Sequence, residues 1–171
     1  MSEYPFLEIP EELYAEIGCR LLLLQHLESY IGVLVKIVFE DNSEESKKAL
    51  MKTDKRTMGQ LIGALKKKKN IDSNFEGALQ RVLDDRNLFV HRLASEFELE
   101  TSLGQSRSIE FLSKSMGDLE AVNLILQGAI VGYGVENGID FDYMDSWREH
   151  GNLRELETKV IPNLSNYFKK S

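Results

Sequence analysis

Residues 73–97 read SNFEGALQRVLDDRNLFVHRLASEF. Phe75, Leu79, Val82, Phe89, Leu93 and Phe97 fall on one face of a helix with 3.6 residues per turn. Leu83 and Val90 widen that apolar stripe. The spacing predicts a helix over 73–97, capped by Ser73 with Glu76 three residues later. Arg86 lies inside the stripe, one turn from Val82, Leu83, Phe89 and Val90. A guanidinium is costly to desolvate without a partner. Arg86 therefore either runs out to solvent along its own stem or meets a specific anion or acceptor. Asn87 and His91 are four apart and stack on a neighbouring face. Arg86 and His91 are about 140° apart around the axis, so the reading sets them on two sides of one groove. Leu88, on the far side from the stripe, reads as exposed.

The rest of the chain repeats the helical pattern. Pro10 suits a first helical turn, and Glu11 and Glu12 suit the positive end of a helix dipole. Leu13, Ile17, Leu24, Leu27, Ile31, Leu34 and Val38 predict a helix over 11–39. It is apolar on more than one side, as expected of a helix central to a bundle or lying in an oligomer interface. His26 and Glu28 are polar exceptions on it, and Cys19 reads as a buried, inert thiol. Ser43 caps a short helix over 44–51. Thr57 caps another over 58–68, whose apolar edge is Met58, Leu61, Ile62 and Leu65. Residues 98–105 read as a loop. Leu112, Met116, Leu119, Leu126, Ile130 and Tyr133 predict a helix from Ser108 to 134 or 136. Short helical pieces over 144–149, around Trp147, and over 153–168, kinked by Pro162, complete the pattern. No period-two run suggests a strand. The expected architecture is a single all-α domain over 1–171. It is a helical bundle of three to four long helices with short additional ones, and 139–171 forms a C-terminal helical extension.

Composition narrows the function classes. The chain has 171 residues, with 42% apolar and 29% charged, which is ordinary for a water-soluble domain. The most apolar region, 21–39, contains Gln25, His26, Glu28, Ser29 and Lys36, too polar for a simple membrane span. No basic residue precedes Arg20, so no secretory leader is expected, and a cytoplasmic location follows. One cysteine excludes an internal disulfide. Three histidines, His26, His91 and His150, lack metalloprotease spacing, and no metal or other cofactor is expected. Phosphate-loop, dinucleotide and esterase-elbow patterns are absent. Net charge is −7, yet 47–69 alone carries +8. Arg56, Lys66, Lys67, Lys68 and Lys69 lie in that basic stretch. It can present a patch to an RNA backbone, or the lysines can simply complement the end of their helix.

What remains is an arginine, a histidine and a polar Asn87. Arginine can neutralise a phosphate and the charge developing on it. Histidine can move a proton near neutral pH. With RNA as substrate, the 2′-hydroxyl can serve as nucleophile, and neither a metal nor an activated serine is needed. Proton removal and proton delivery usually want two groups, which a symmetric dimer supplies.

Arg86-Asn87-Leu88-Phe89-Val90-His91 resembles the signature of the HEPN superfamily, in which a polar residue follows an arginine and a histidine comes a few residues on. Thr57-Met-Gly-Gln-Leu-Ile before a helix also resembles a stretch of some bacterial members. The resemblance implies an all-helical, often dimeric bundle. Many members are metal-independent endoribonucleases of toxin–antitoxin or phage-defence systems. It assigns Arg86 as phosphate clamp, His91 as proton-transfer or orienting group and Asn87 as supporting polar residue. The implied partners are a second copy of the chain, RNA and an antitoxin or regulatory protein. The alternative is a non-catalytic helical binding module, immunity- or antitoxin-like, in which Arg86 bridges to an acid on another helix. The acidic net charge suits that alternative, because net repulsion opposes RNA outside the basic patch.

Overall fold

A computed structural model describes residues 9–38, 57–68, 70–136 and 156–169. The helices expected over 44–51 and 144–149 lie outside the described residues, as do Arg56, Lys69, Trp147 and His150.

Helix α1 (Glu11–Val33) begins after Pro10, whose carbonyl accepts the amides of Leu13 and Tyr14. It runs into a π-helical turn, Leu34–Val38. Its core face is Leu13, Leu24, Leu27 and Ile31, with Arg20 among them. Helix α2 (Met58–Lys68) opens on a reciprocal capping box. The Thr57 amide donates to Gln60 Oε1 at 2.9 Å and the Gln60 amide donates to Thr57 Oγ1 at 3.4 Å. Met58, Leu61, Ile62 and Leu65 are buried, as their spacing predicts.

Helix α3 (Ser73–Phe97) has the predicted span, but its cap is Asp72, whose carboxylate accepts the Asn74 amide at 2.9 Å. Glu76 is left to pair with Lys66 of α2. The chain leaves α3 through Glu98 in the left-handed region, φ 51°. Helix α4 (Ser102–Glu136) starts six residues before the expected Ser108. Thr101 makes the early start workable: its hydroxyl oxygen accepts the Gly104 amide and its carbonyl accepts the Gln105 amide. At 35 residues, α4 is about 52 Å long and serves as the spine of the molecule.

α4 runs parallel to α1, since Arg20 meets Leu112 and Ser115 while Tyr30 meets Gln127. α3 runs antiparallel to both. Phe97 stacks near Phe111 while Arg81 pairs with Asp118, and Phe89 lies against Arg20 while Arg86 reaches Glu28. The result is an all-helical bundle with one continuous apolar core drawn from all four helices.

The C-terminal segment closes one side of α4. Leu156–Val160 forms a π-helical turn, followed by a 3-10 turn, Ile161–Asn163, and a single α-turn, α5 (Leu164–Tyr167). Leu156 and Val160 are buried with Val131. Short strands, which the sequence pattern does not suggest, then appear: β1 (Asn70–Ile71) pairs antiparallel with β2 (Phe168–Lys169). The pairing draws Tyr167 and Phe168 edge-on to Phe75.

Three side chains depart from expectation. Cys19 is exposed on the outer face of α1. Leu88 is half-buried against the core, whereas Val90 is 44% exposed.

The deeply buried arginine is Arg20, at 2% exposure. Its guanidinium donates to the Leu112 carbonyl at 2.9 Å and to Ser115 Oγ, and lies over the rings of Phe89 and Phe111. Burial pulls its pKa below the usual arginine value, opposed by the charges of Asp85 and Glu16.

Candidate functional site: an arginine, histidine and glutamate cluster between α1 and α3

Arg86 leaves α3 at the edge of its buried face, and its stem carries the guanidinium across toward α1. There Nη2 meets Glu28 Oε1 at 3.3 Å. Nη1 approaches Asn87 Oδ1 and His91 Nε2, each at 3.4 Å. The three residues read from the sequence are thus brought into one cluster. The angular gap between Arg86 and His91 is closed by the length of the arginine side chain. Glu28, 58 positions from Arg86 in sequence, is the fourth member. Its sequence signal is that, with His26, it interrupts the most apolar region of the helix.

The cluster is open to solvent. Arg86 and Glu28 side chains are 22% and 34% exposed, and Asn87 and His91 are exposed. All three distances lie at the long end of hydrogen bonding. The guanidinium is neutralised by Glu28 but not locked in place, so it can still turn toward an incoming anion.

A guanidinium has only donors, so it can hold His91 only through the Nε2 lone pair. When Arg86 turns to an anion that lone pair is released, and it can then take a proton from a hydroxyl.

The lysines stand elsewhere. α2 lies antiparallel on α3, with Gly59 against Leu83 and Lys66 against Glu76. The end of α2 bearing Lys66 and Lys67 is therefore about 15 Å along α3 from Arg86. Lys66 is paired, Lys67 is exposed, and the side chain of Lys68 is outside the described residues. The structure does not bring these lysines into the Arg86 cluster.

Two apolar side chains flank the cluster on antiparallel helices. Leu21, two turns before Glu28 on α1, is 45% exposed, and Val90, one turn after Arg86 on α3, is 44% exposed. Leu22 and Tyr14 extend the apolar exposure of α1, at 59% and 53%.

Among the described residues there is no group of three His, Cys, Asp or Glu side chains that could hold a metal ion. No helix among them is long and apolar enough to cross a membrane. No family model, curated protein or solved structure matches the chain.

Proposed function

We propose that this protein is a metal-independent endoribonuclease of toxin or phage-defence type, acting as a homodimer. The observation that carries the reading is the convergence of Arg86, Asn87, His91 and Glu28 at one solvent-open edge. In this reading Arg86 binds the scissile phosphate and the negative charge that builds on its non-bridging oxygens. His91 accepts the proton of the 2′-hydroxyl through the Nε2 lone pair that Arg86 vacates on turning to the phosphate. The 2′-oxygen attacks phosphorus, the bond to the 5′-oxygen breaks, and that oxygen takes a proton. The products are a 2′,3′-cyclic phosphate and a 5′-hydroxyl. The leaving-group proton comes from His91 of the partner subunit, which must enter the step as the imidazolium and leaves it neutral, and this is why the dimer belongs to the proposal. The lysine-bearing end of α2 holds the RNA backbone at a distance from the cut.

The test is cleavage of cellular and synthetic RNA by purified protein in EDTA, beside folded Arg86→Ala and His91→Ala variants. Cleavage by the wild type that falls at least about a hundredfold in both variants supports the reading. Equal cleavage by wild type and variants, or none by a folded wild-type dimer, overturns it.

The Glu28 contact favours a second reading, a non-catalytic binding module in which Arg86 ties α3 to α1 and the same face meets an antitoxin or another regulatory protein. Under that reading Arg86→Ala loosens the fold or the partner complex, and no RNA-cleaving activity exists to lose.

A further inference from the structure

A cavity of about 470 Å³ opens between α3 and α4. Asp84 and Asp85 line it from α3, and Phe111, Lys114 and Ser115 line it from α4. The rim pair Arg81–Asp118 is already satisfied, with two hydrogen bonds at 2.6 and 3.1 Å. Asp84 is also spent, accepting Gln80 Nε2 at 2.9 Å. Asp85 differs: it is half-buried and has no hydrogen-bond partner among the described residues. Behind the floor lies Arg20. Its guanidinium is bonded to Ser115 and stacked on Phe111, both cavity-lining residues, and its buried Nε–H has no partner.

The unsatisfied groups of this cavity define a ligand edge. Asp85 offers two acceptor oxygens, and Arg20 behind the floor offers a positive field that favours the Asp85 carboxylate. The complement is a flat edge bearing two adjacent N–H donors, on a ring that can lie against Phe111. Guanine has that edge, with N1–H and an N2 hydrogen beside O6. Adenine, cytosine and uracil each present a single donor along the corresponding edge. Asp84, at the rim of the cavity, stands seven residues before His91 on the same face of α3, an axial separation of about 10 Å. That is one to two nucleotides along a strand.

We propose that this cavity is a nucleobase subsite for guanine, with Asp85 accepting N1–H and N2–H, Phe111 packing on the ring, and exposed Lys114 meeting the nucleotide's phosphate. As part of an RNA site it rests on the ribonuclease reading, and it gives that enzyme a guanine preference near the cut.

Binding is tested apart from cutting with the four deoxynucleoside monophosphates, which lack the 2′-hydroxyl and cannot react. They are titrated by calorimetry into the full chain in EDTA. Binding of dGMP at least about tenfold tighter than the other three is expected, lost in Asp85→Asn and weakened in Lys114→Glu, an exposed position that leaves the core untouched. Equal affinity for all four, or a dGMP preference that survives in folded Asp85→Asn, overturns the proposal. In Arg86→Ala the preference persists while cleavage is lost. A wild type that cuts RNA with no guanine preference near the cut sinks the subsite and leaves the ribonuclease standing. Asp85-dependent dGMP binding by a protein that cuts nothing does the reverse.

Discussion

Arg86 and Arg20 show how the same side chain takes opposite roles. Arg20 is enclosed and held by two acceptors and two rings. Arg86 has a carboxylate 3.3 Å away and retains access to solvent. An ion pair this open contributes only about 0–1 kcal/mol. Arg86→Ala and Glu28→Gln are therefore expected to melt within a few degrees of wild type. In RNA cleavage, the same substitutions separate. Arg86→Ala should fall at least about a hundredfold. Glu28→Gln removes the negative charge but keeps the shape, so substrate binding tightens while turnover drops if Glu28 holds Arg86 in register. A Glu28→Gln protein with unchanged affinity and turnover would reduce Glu28 to a tether between helices. Asp85 gives a prediction in pH. Burial, outweighing the pull of Arg20, raises its pKa above the usual 3.8. A carboxyl with a raised folded pKa costs stability when ionised, and that cost disappears as pH falls through the folded pKa toward 3.8. Asp85→Asn should melt above wild type at pH 7, with the gap closing by about pH 4. A variant that melts lower at pH 7 would mean that Arg20 depends on the Asp85 charge.

At the scale of elements, periodicity carried most of the fold, and the gaps have definite causes. The span of α3 could be read to its last residue because a long alternation of Phe, Leu and Val leaves no other period. α4 begins early because Thr101 caps it, a signal hidden in the polar run from Glu98 to Gln105. Arg20 was missed in the sequence reading, although its position belongs to the face of Leu13, Ile17, Leu24, Leu27 and Ile31 and carried the signal. Glu28 was not assignable to Arg86, because pairing across α1 and α3 depends on helix packing rather than on spacing within either helix. The strand pair β1–β2 lacked any pattern, as two residues per strand cannot show alternation. The α3–α4 turn makes the sharpest prediction. A Cβ on Gly104 would lie 1.8 Å from the Phe97 carbonyl oxygen and 2.3 Å from that of Glu98. Both are backbone atoms and cannot swing aside. Gly104→Ala should cost about 3 kcal/mol or more, at the severe end of single substitutions, measured by urea unfolding. Gly117→Ala in the same helix, with nothing within 4 Å of the new methyl, should instead be neutral or gain up to about 1 kcal/mol from helix propensity. Similar losses for both would show that the α3–α4 turn can open to accept a side chain.

Considered whole, the bundle has a lopsided surface. The C-terminal segment covers one side of α4, with Val160 and Leu164 seated against Gly128 and Gly132. Among the described residues, none covers the outer face of α1 in this way. Tyr14, Leu21 and Leu22 stand out from it, with Glu28 two turns beyond Leu21 on the same side. Under the dimeric ribonuclease reading, this partly apolar face beside the Arg86 cluster is where a second copy would bind, with its own Arg86 and His91 brought alongside. Leu22 is the most exposed large hydrophobic residue of α1, at 59%, and its replacement should alter stability by no more than about 0.5 kcal/mol. Leu22→Glu places like charges opposite one another across a two-fold interface. Wild type is expected to sediment as a dimer and Leu22→Glu as a folded monomer with cleavage reduced in proportion to the dimer lost. Dilution of the wild type through the dimer dissociation constant should lower cleavage per chain in parallel. A monomeric wild type that cuts RNA at full rate would place both proton transfers within one chain, and Glu28 would then become the candidate for the second.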